Sequence, residues 1–317
     1  MSPQTFDRSH IKTHCVGDLW PEFLGSVSLG ESFIVETERF NEVNGPIEIE
    51  GIKRDDLIAV HIEKIEILPP YEAPNGGPFY DGQLVPLTFD GEHFYFPDKF
   101  KLKAEPSIGN VAVLPFPSEE ILSLSKEFIH EGQRWRNERG WRRVVSDPRG
   151  KHCHQDCPWL GEGSVIHMKA QVDGAGLCLG DVHGYLGEGE MAFAGIEVNA
   201  ILQLRVERSV GWYVDWPLIE TEEEVMVCSS YTSTYTDMPH QRYVDVVKQA
   251  YRSLLRVVSE KAGCSIEDAN PLVASAISLR NCAIYGLGEG YIPQHVDHAP
   301  FDIAVVASIP KHVFVNA

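Results

Sequence analysis

The feature that most constrains the fold is a clean alternation of apolar and polar side chains in two segments. In Leu57–Leu68 the apolar side chains Ile58, Val60 and Ile62 are separated by single residues, and Ile196–Val206 repeats this pattern. A repeat of two is the period of a β-strand, whose successive side chains point to opposite faces. Both segments are therefore predicted to be half-buried strands, and the first two thirds of the chain to be mostly strand.

Helical periodicity enters only in the last third of the chain. Gln241–Lys261 carries an apolar stripe at helical spacing, and Ser265 is placed to cap a second helix. These patterns predict a β-rich α+β fold, with a β-sandwich or barrel-like body and a C-terminal α+β portion. We expect the body in residues 1–220 and the second portion in residues 221–317, either as two domains or as one.

The segment Pro69–Pro78 interrupts the strand pattern. It holds four prolines and the pair Gly76-Gly77. Proline and glycine are typical of turns, so the segment is predicted to be a long irregular loop. Such loops are often lids over a site, and a plain surface excursion is the equal alternative.

Charge and cysteine content limit the partners and the compartment. The chain of 317 residues has a formal net charge of -19, which argues against nucleic acid and anionic membranes as partners. It contains no apolar run of about 18 residues, so no transmembrane helix is expected. The seven cysteines are odd in number and scattered. Disulfides are therefore not expected, and the cytoplasm is the predicted location.

The densest group of ionisable residues lies in Gly180–Glu190, which reads G-D-V-H-G-Y-L-G-E-G-E. If a strand ends at His183, Asp181 and His183 point to the same side. Glu188 and Glu190 are expected to share a side for the same reason. Carboxylates and an imidazole in one volume suit zinc or another divalent ion, and a carboxylate outside the metal shell could act as general base. The alternative is a polar, glycine-rich turn with exposed acids.

Two further polar groups could contribute to such a site. The stretch from His152 to Cys157 is rich in imidazoles and thiols but lacks the second cysteine pair of a zinc ribbon, so one or two side chains reaching His183 are expected instead. Near the C-terminus, His295 and Asp297 are candidates for substrate binding. A structural turn is the alternative for this pair.

These motifs resemble the acetamidase/formamidase family. The family centre, G-D-x-H followed by Q-G-D-G-E, corresponds to Gly180–His183 and Leu186–Glu190, and the similarity continues into A-G-I-E at Ala194–Glu197. An upstream family segment, Gly-Gly-Asn-x-Asp, corresponds to the stretch ending at Asp156. The chain departs from the pattern by having His154 for the asparagine, together with Leu186 for the glutamine and Glu188 for the middle aspartate.

The resemblance implies hydrolysis of short amides to ammonia and a carboxylate, with a divalent metal, by a β-rich homo-oligomer. Carried over by position, Asp156 and His183 are implied metal ligands, and Asp181 is a ligand or a close partner. Glu190 is the implied acid/base. In the mechanism that we expect, Glu190 or Glu188 delivers a proton to the departing nitrogen, and His154 is a candidate extra ligand. Zinc is the expected ion, with calcium or another divalent ion as the alternative.

The departures from the family pattern leave a related C–N bond, as in a cyclic amide, open as the substrate. Two other functions also stay open at this point. A cysteine-nucleophile amidase could use Cys153 or Cys178, each of which needs a nearby base. A non-catalytic β-rich module could use a metal to hold a loop or bind a ligand.

Overall fold

The computed structural model describes residues 3–9, 22–39, 43–74, 84–97, 99–116, 155–190, 194–232, 239–284 and 302–314. The strands are β1 (Gln4–Phe6), β2 (Ser26–Val27), β3 (Ser32–Thr37), β4 (Val43–Ile49), β5 (Leu57–Pro74), β6 (Leu84–Pro86), β7 (Thr88–Phe89), β8 (His93–Phe96), β9 (Phe100–Lys103), β10 (Ser107–Val113), β11 (Val165–Lys169), β12 (Leu177–His183), β13 (Glu197–Arg208), β14 (Leu218–Glu220), β15 (Glu224–Thr232), β16 (Ser278–Ala283) and β17 (Asp302–Pro310). The helices are α1 (Pro239–Ala262) and α2 (Ile266–Ala276), and a 3-10 turn spans Lys311–Val313.

The two alternating segments form the centre of the body. Leu57–Leu68 lies within β5, and Ile196–Val206 corresponds to β13. The two strands pair antiparallel along most of their length. Ile58, Val60 and Ile62 are buried, as are Val198 to Val206 at every second position. This burial confirms the predicted strands, and the apolar faces supply much of the larger core.

One large mixed sheet runs through the described part of the chain. Fourteen of the described strands belong to this sheet. Ten follow one another in the order β16-β17-β15-β14-β11-β5-β13-β12-β4-β2, and β1, β3, β6 and β10 pair beside them. Strands β7, β8 and β9 form a separate three-stranded sheet. Strand β13 pairs with β3, β5 and β12 and so lies near the centre of the sheet. The architecture confirms the predicted β-rich α+β fold with a sandwich or barrel-like body.

The helices cover the C-terminal part of the sheet. Helix α1 packs on β15, β17 and α2, and a second apolar cluster fills this layer. Ser265 caps α2 by accepting a hydrogen bond from the Asp268 N–H, as predicted.

The pairing of β14 with β15 continues the sheet across residue 220, where the sequence suggested a domain boundary. The division at that residue into two domains stays a prediction. Neither described helix has the length and apolar character needed to cross a membrane.

The prediction of an irregular loop at Pro69–Pro78 is wrong for the first half of this segment. Pro69 to Pro74 continue strand β5, which pairs with β13 on one side and with β6 on the other. The pairing register shifts between Val198 and Asn199, opposite the two prolines. A bulge tolerates prolines because it relaxes the demand for a ladder hydrogen bond at each residue. The rest of the predicted loop lies outside the described residues.

Candidate active site

Strand β12 delivers the first two site residues. It is buried at every position and ends at His183, where the sequence predicted a strand to end. Strand β12 pairs with β10, which places Ser107 opposite His183, and it meets β13 at Glu197. Asp181 and His183 are 2% and 1% exposed, and a ligand atom of each lies within 4.8 Å of the other. The predicted common side of these two residues is therefore confirmed.

Asp156 reaches the same place from an upstream segment. Its backbone N–H donates to the Gly109 carbonyl of β10 over 2.9 Å, and its side chain is fully buried. Gly109 makes room for this approach. A Cβ at position 109 would lie 2.7 Å from Asp156 Oδ1 and 2.8 Å from His183 Cε1, closer than real Cβ atoms approach other atoms.

Glu190 is placed by the turn that follows β12. The Gly189 N–H donates to the Asn281 carbonyl and its carbonyl accepts from the Ile284 N–H, so the turn is fixed on β16. Glu190 is 7% exposed, and its Oε1 lies 3.9 Å from His183 Nε2.

Glu188 does not share a side with Glu190, so that expectation was wrong. Glu188 is exposed and belongs to neither group of potential ligands around His183. The expectation assumed extended backbone with a period of two. Instead the chain turns here, with Gly189 at φ 93° and Glu190 at φ 41°. The structure therefore gives no support to Glu188 as a catalytic group.

Glu197 is the site residue that the sequence reasoning missed. The alternation placed it on the polar face of β13, yet it is 2% exposed. Its Oε1 lies 3.3 Å from His183 Nε2 and accepts a hydrogen bond from the Gly195 N–H. The signal that could have identified it was the A-G-I-E match at Ala194–Glu197, which ends on this residue.

Together these residues form two overlapping groups, which we call the buried cluster: Asp156, Asp181, His183, Glu190 and Glu197. Asp156, His183 and Glu190 form one group of potential metal ligands, and Asp181, His183 and Glu197 form the other. Within each group, one ligand atom from every residue lies within 4.8 Å of the others.

The backbone of the buried cluster is strained. Five non-glycine residues of the described chain have positive φ, and three of them are Asp156, Asp181 and Glu190, at 39°, 61° and 41°. This conformation is unfavourable for residues with a Cβ and persists where the surroundings enforce it, which happens most often at functional sites.

Electrostatics in the buried cluster favour a positive charge. Burial lowers the pKa of His183, but the carboxylates of Glu197, Asp181 and Asp156 raise it by more, to about 9 from 6.5. These carboxylates therefore stabilise a cation among them, whether an imidazolium or a metal ion.

The residues present fit a divalent ion. Carboxylate oxygens and an imidazole nitrogen are the donor types that zinc and similar ions take. His183 Nδ1 is buried, and no described residue gives it a hydrogen-bond partner. Gly109 and Gly195 pack closely against the imidazole, because a Cβ at either position would lie only 2.8 Å from a ring carbon.

Three other predicted site residues lie outside the described part of the chain: His154, His295 and Asp297. The same holds for Cys153, one of two candidate nucleophiles. The other, Cys178, is fully buried, and this burial strongly raises the pKa of its thiol. A neutral, buried thiol is a poor nucleophile, so the geometry does not favour Cys178 in that role.

Comparison with solved structures identifies the fold. The acetamidase from Yersinia enterocolitica has a TM-score of 0.74 at 19% identity, over 99% of this chain and 94% of that one. A predicted acetamidase/formamidase from Thermoanaerobacter tengcongensis gives 0.73 at 19% identity, over 98% and 96%. A gamma lactamase from Delftia acidovorans gives 0.53 at 17% identity, over 98% and 93%.

Sequence comparison identifies the family. A search of curated proteins found no match. The model of the acetamidase/formamidase family, however, matches residues 97–259, which is just over half of the chain and includes all five residues of the buried cluster. The chain therefore belongs to the acetamidase/formamidase family and is an amidohydrolase.

Proposed function

We propose that the chain hydrolyses a small amide to ammonia and a carboxylate at the buried cluster, with a bound divalent ion, most simply zinc. The observation that carries this proposal is the convergence of Asp156, from an upstream segment, with His183 and Glu190, from β12 and the turn that follows it; their ligand atoms lie within 4.8 Å of one another. A general base beside a ligand pair is what amide hydrolysis by an activated water requires.

In this proposal, Asp156 and His183 hold the ion, with Asp181 as a further ligand or close partner. A bound divalent ion lowers the pKa of a water molecule towards about 7 and polarises a carbonyl oxygen. Glu197 lies against His183 Nε2 and fixes the orientation of the imidazole. A carboxylate in this position also makes the imidazole a stronger ligand.

Glu190 moves the protons. Glu190 is 7% exposed, which makes it the most accessible of the five residues of the buried cluster. It accepts a proton from the attacking water and later delivers one to the departing nitrogen, so that an amide and water yield a carboxylate and ammonia. Because the cluster is so nearly closed to solvent, it suits a short substrate better than a polymer.

The experiment compares metal-free and metal-reconstituted protein on formamide, acetamide, lactams, ureas and guanidines. We expect ammonia release from a short amide only after reconstitution, and no effect of a thiol alkylator. Activity that survives metal removal but is lost on alkylation would instead support a cysteine nucleophile. Full metal occupancy without ammonia release from any of these compounds would support the non-catalytic module.

A further inference from the structure

A buried side-chain amide lies directly beside Asp156. Gln155 is fully buried, and its amide makes two hydrogen bonds to one backbone residue. The Val111 N–H donates to Gln155 Oε1 over 2.8 Å, and Gln155 Nε2 donates to the Val111 carbonyl over 2.7 Å. This is how a neighbouring strand would pair with Val111, so the amide replaces a strand at the outer edge of β10.

The backbone of the same segment continues this pairing. The N–H groups of Gln155 and Asp156 both donate to the Gly109 carbonyl, each over 2.9 Å. Gly109 and Val111 are two residues apart on β10 and therefore present their hydrogen-bonding groups to the same edge. The four bonds hold residues 155 and 156 against β10, whose other edge pairs with β12, the strand that carries Asp181 and His183.

These bonds have a consequence for Asp156. Its backbone has a φ of 39°, which is unfavourable for an aspartate unless its surroundings impose it. Its carboxylate contacts the face of Gly109, beside His183 Cε1. Releasing the Gln155 amide removes two of the four bonds and lets the segment relax.

We propose that Gln155 is a positioning residue, whose amide holds the Asp156 carboxylate in the buried cluster and thereby sets the affinity for the divalent ion. The measurement of zinc affinity that tests this inference rests on the function proposed above.

The test replaces Gln155 by methionine, which has similar length but cannot form either hydrogen bond. Asn44→Leu is the matched control. Asn44 is also fully buried, and its Nδ2 donates to the backbone carbonyls of Phe6, Asp7 and Glu36. Both variants therefore lose buried bonds to the backbone, but only the first loses them beside Asp156.

We expect Gln155→Met to weaken zinc binding by roughly 10- to 100-fold, the usual effect of removing a group that supports a ligand. Its crystal structure should show the Asp156 carboxylate displaced from His183. Asn44→Leu should lower the thermal stability to a similar degree with unchanged zinc affinity. Unchanged zinc affinity in Gln155→Met together with an unmoved Asp156 would overturn the inference.

The inference stays testable if Gln155→Met does not fold or if the wild-type protein binds no zinc. If Gln155→Met does not fold, Gln155→Asn keeps the amide but is one methylene shorter, and it should weaken zinc binding in the same direction; unchanged affinity counts against the inference. If the wild-type protein binds no zinc, the proposed function fails, while the position of Asp156 in the variant crystal structure still decides the role of Gln155.

Discussion

Glu197 lies directly opposite His183 across β12 and β13, and its Oε1 is 3.3 Å from His183 Nε2. This pair joins the two strands at the point where β12 ends. It also leaves the other imidazole nitrogen, Nδ1, buried without a hydrogen-bond partner among the described residues. Glu190 Oε1 also lies near Nε2, at 3.9 Å, so both glutamates face this nitrogen. A carboxylate that is hydrogen-bonded to an imidazole fixes its orientation and raises its basicity.

Replacing Glu197 by glutamine keeps its volume but removes the charge that faces His183. We expect zinc affinity to fall by roughly 10- to 100-fold, because the imidazole becomes a weaker and less well-oriented ligand. Isothermal titration of metal-free protein measures the change. Glu207→Gln makes the same change on the same strand but far from His183, at a partly exposed side chain, and it should bind zinc as the wild type does. Wild-type affinity in Glu197→Gln would contradict the role given to this residue.

Replacing Glu190 by glutamine separates proton transfer from metal binding. We expect kcat to fall by about 100- to 10,000-fold, the usual contribution of a general acid/base, while the metal content stays at the wild-type level. Elemental analysis and an ammonia assay on the same preparation measure both quantities. Loss of metal together with activity would make Glu190 a ligand, which the first ligand group also allows.

Glu188 provides a direct comparison with Glu190, two residues away. Because Glu188 is exposed and lies outside both ligand groups, Glu188→Gln should retain most of the activity. A loss as large as that of Glu190→Gln would restore the catalytic role that the sequence motif suggested for it.

Gly109→Ala tests whether the close approach of Asp156 and His183 matters. The new Cβ would lie 2.7 Å from Asp156 Oδ1, so either the carboxylate or the strand must move. We expect a destabilisation of about 1–3 kcal/mol, as for other overpacked sites, together with loss of metal binding. Gly187→Ala is the matched control, since a Cβ there meets nothing within 4 Å. Thermal unfolding and metal content that match in the two variants would contradict this account.

The fold and the site differ in how far the sequence predicts them. Alternating side chains identified β5 and β13 because burial of one face imposes a period of two. The positions of Glu188 and Glu197 could not be obtained in this way. A tight turn at Gly189 breaks the period for Glu188, and the pairing of β12 with β13 buries Glu197 on what reads as a polar face. Cytoplasmic location and homo-oligomeric assembly stay predictions from the sequence.

Glu220 makes the stability of the C-terminal layer sensitive to acid. A hydrogen bond with His167 is the main cause that lowers the pKa of Glu220 from 4.5 to about 2; burial opposes this shift and Lys311 adds to it. A carboxyl group whose pKa is lowered by folding stabilises the native state above its unfolded pKa, and this stabilisation is lost as pH falls towards the folded pKa.

We therefore expect the difference in free energy of unfolding between wild type and Glu220→Gln to be largest above pH 4.5 and to shrink as pH falls towards 2. Urea unfolding at several pH values measures it, with the exposed Glu222→Gln as a comparison. A difference that does not change with pH would exclude Glu220 as the source.

The most direct test of the central claim is a titration of zinc into metal-free protein while ammonia release from a short amide is recorded. If the buried cluster is a metal-dependent amidase centre, activity should rise in proportion to bound zinc and stop rising when the site is full. Two results would contradict the claim. One is ammonia release at the full rate in metal-free protein; the other is no ammonia release from any short amide tried at full zinc occupancy.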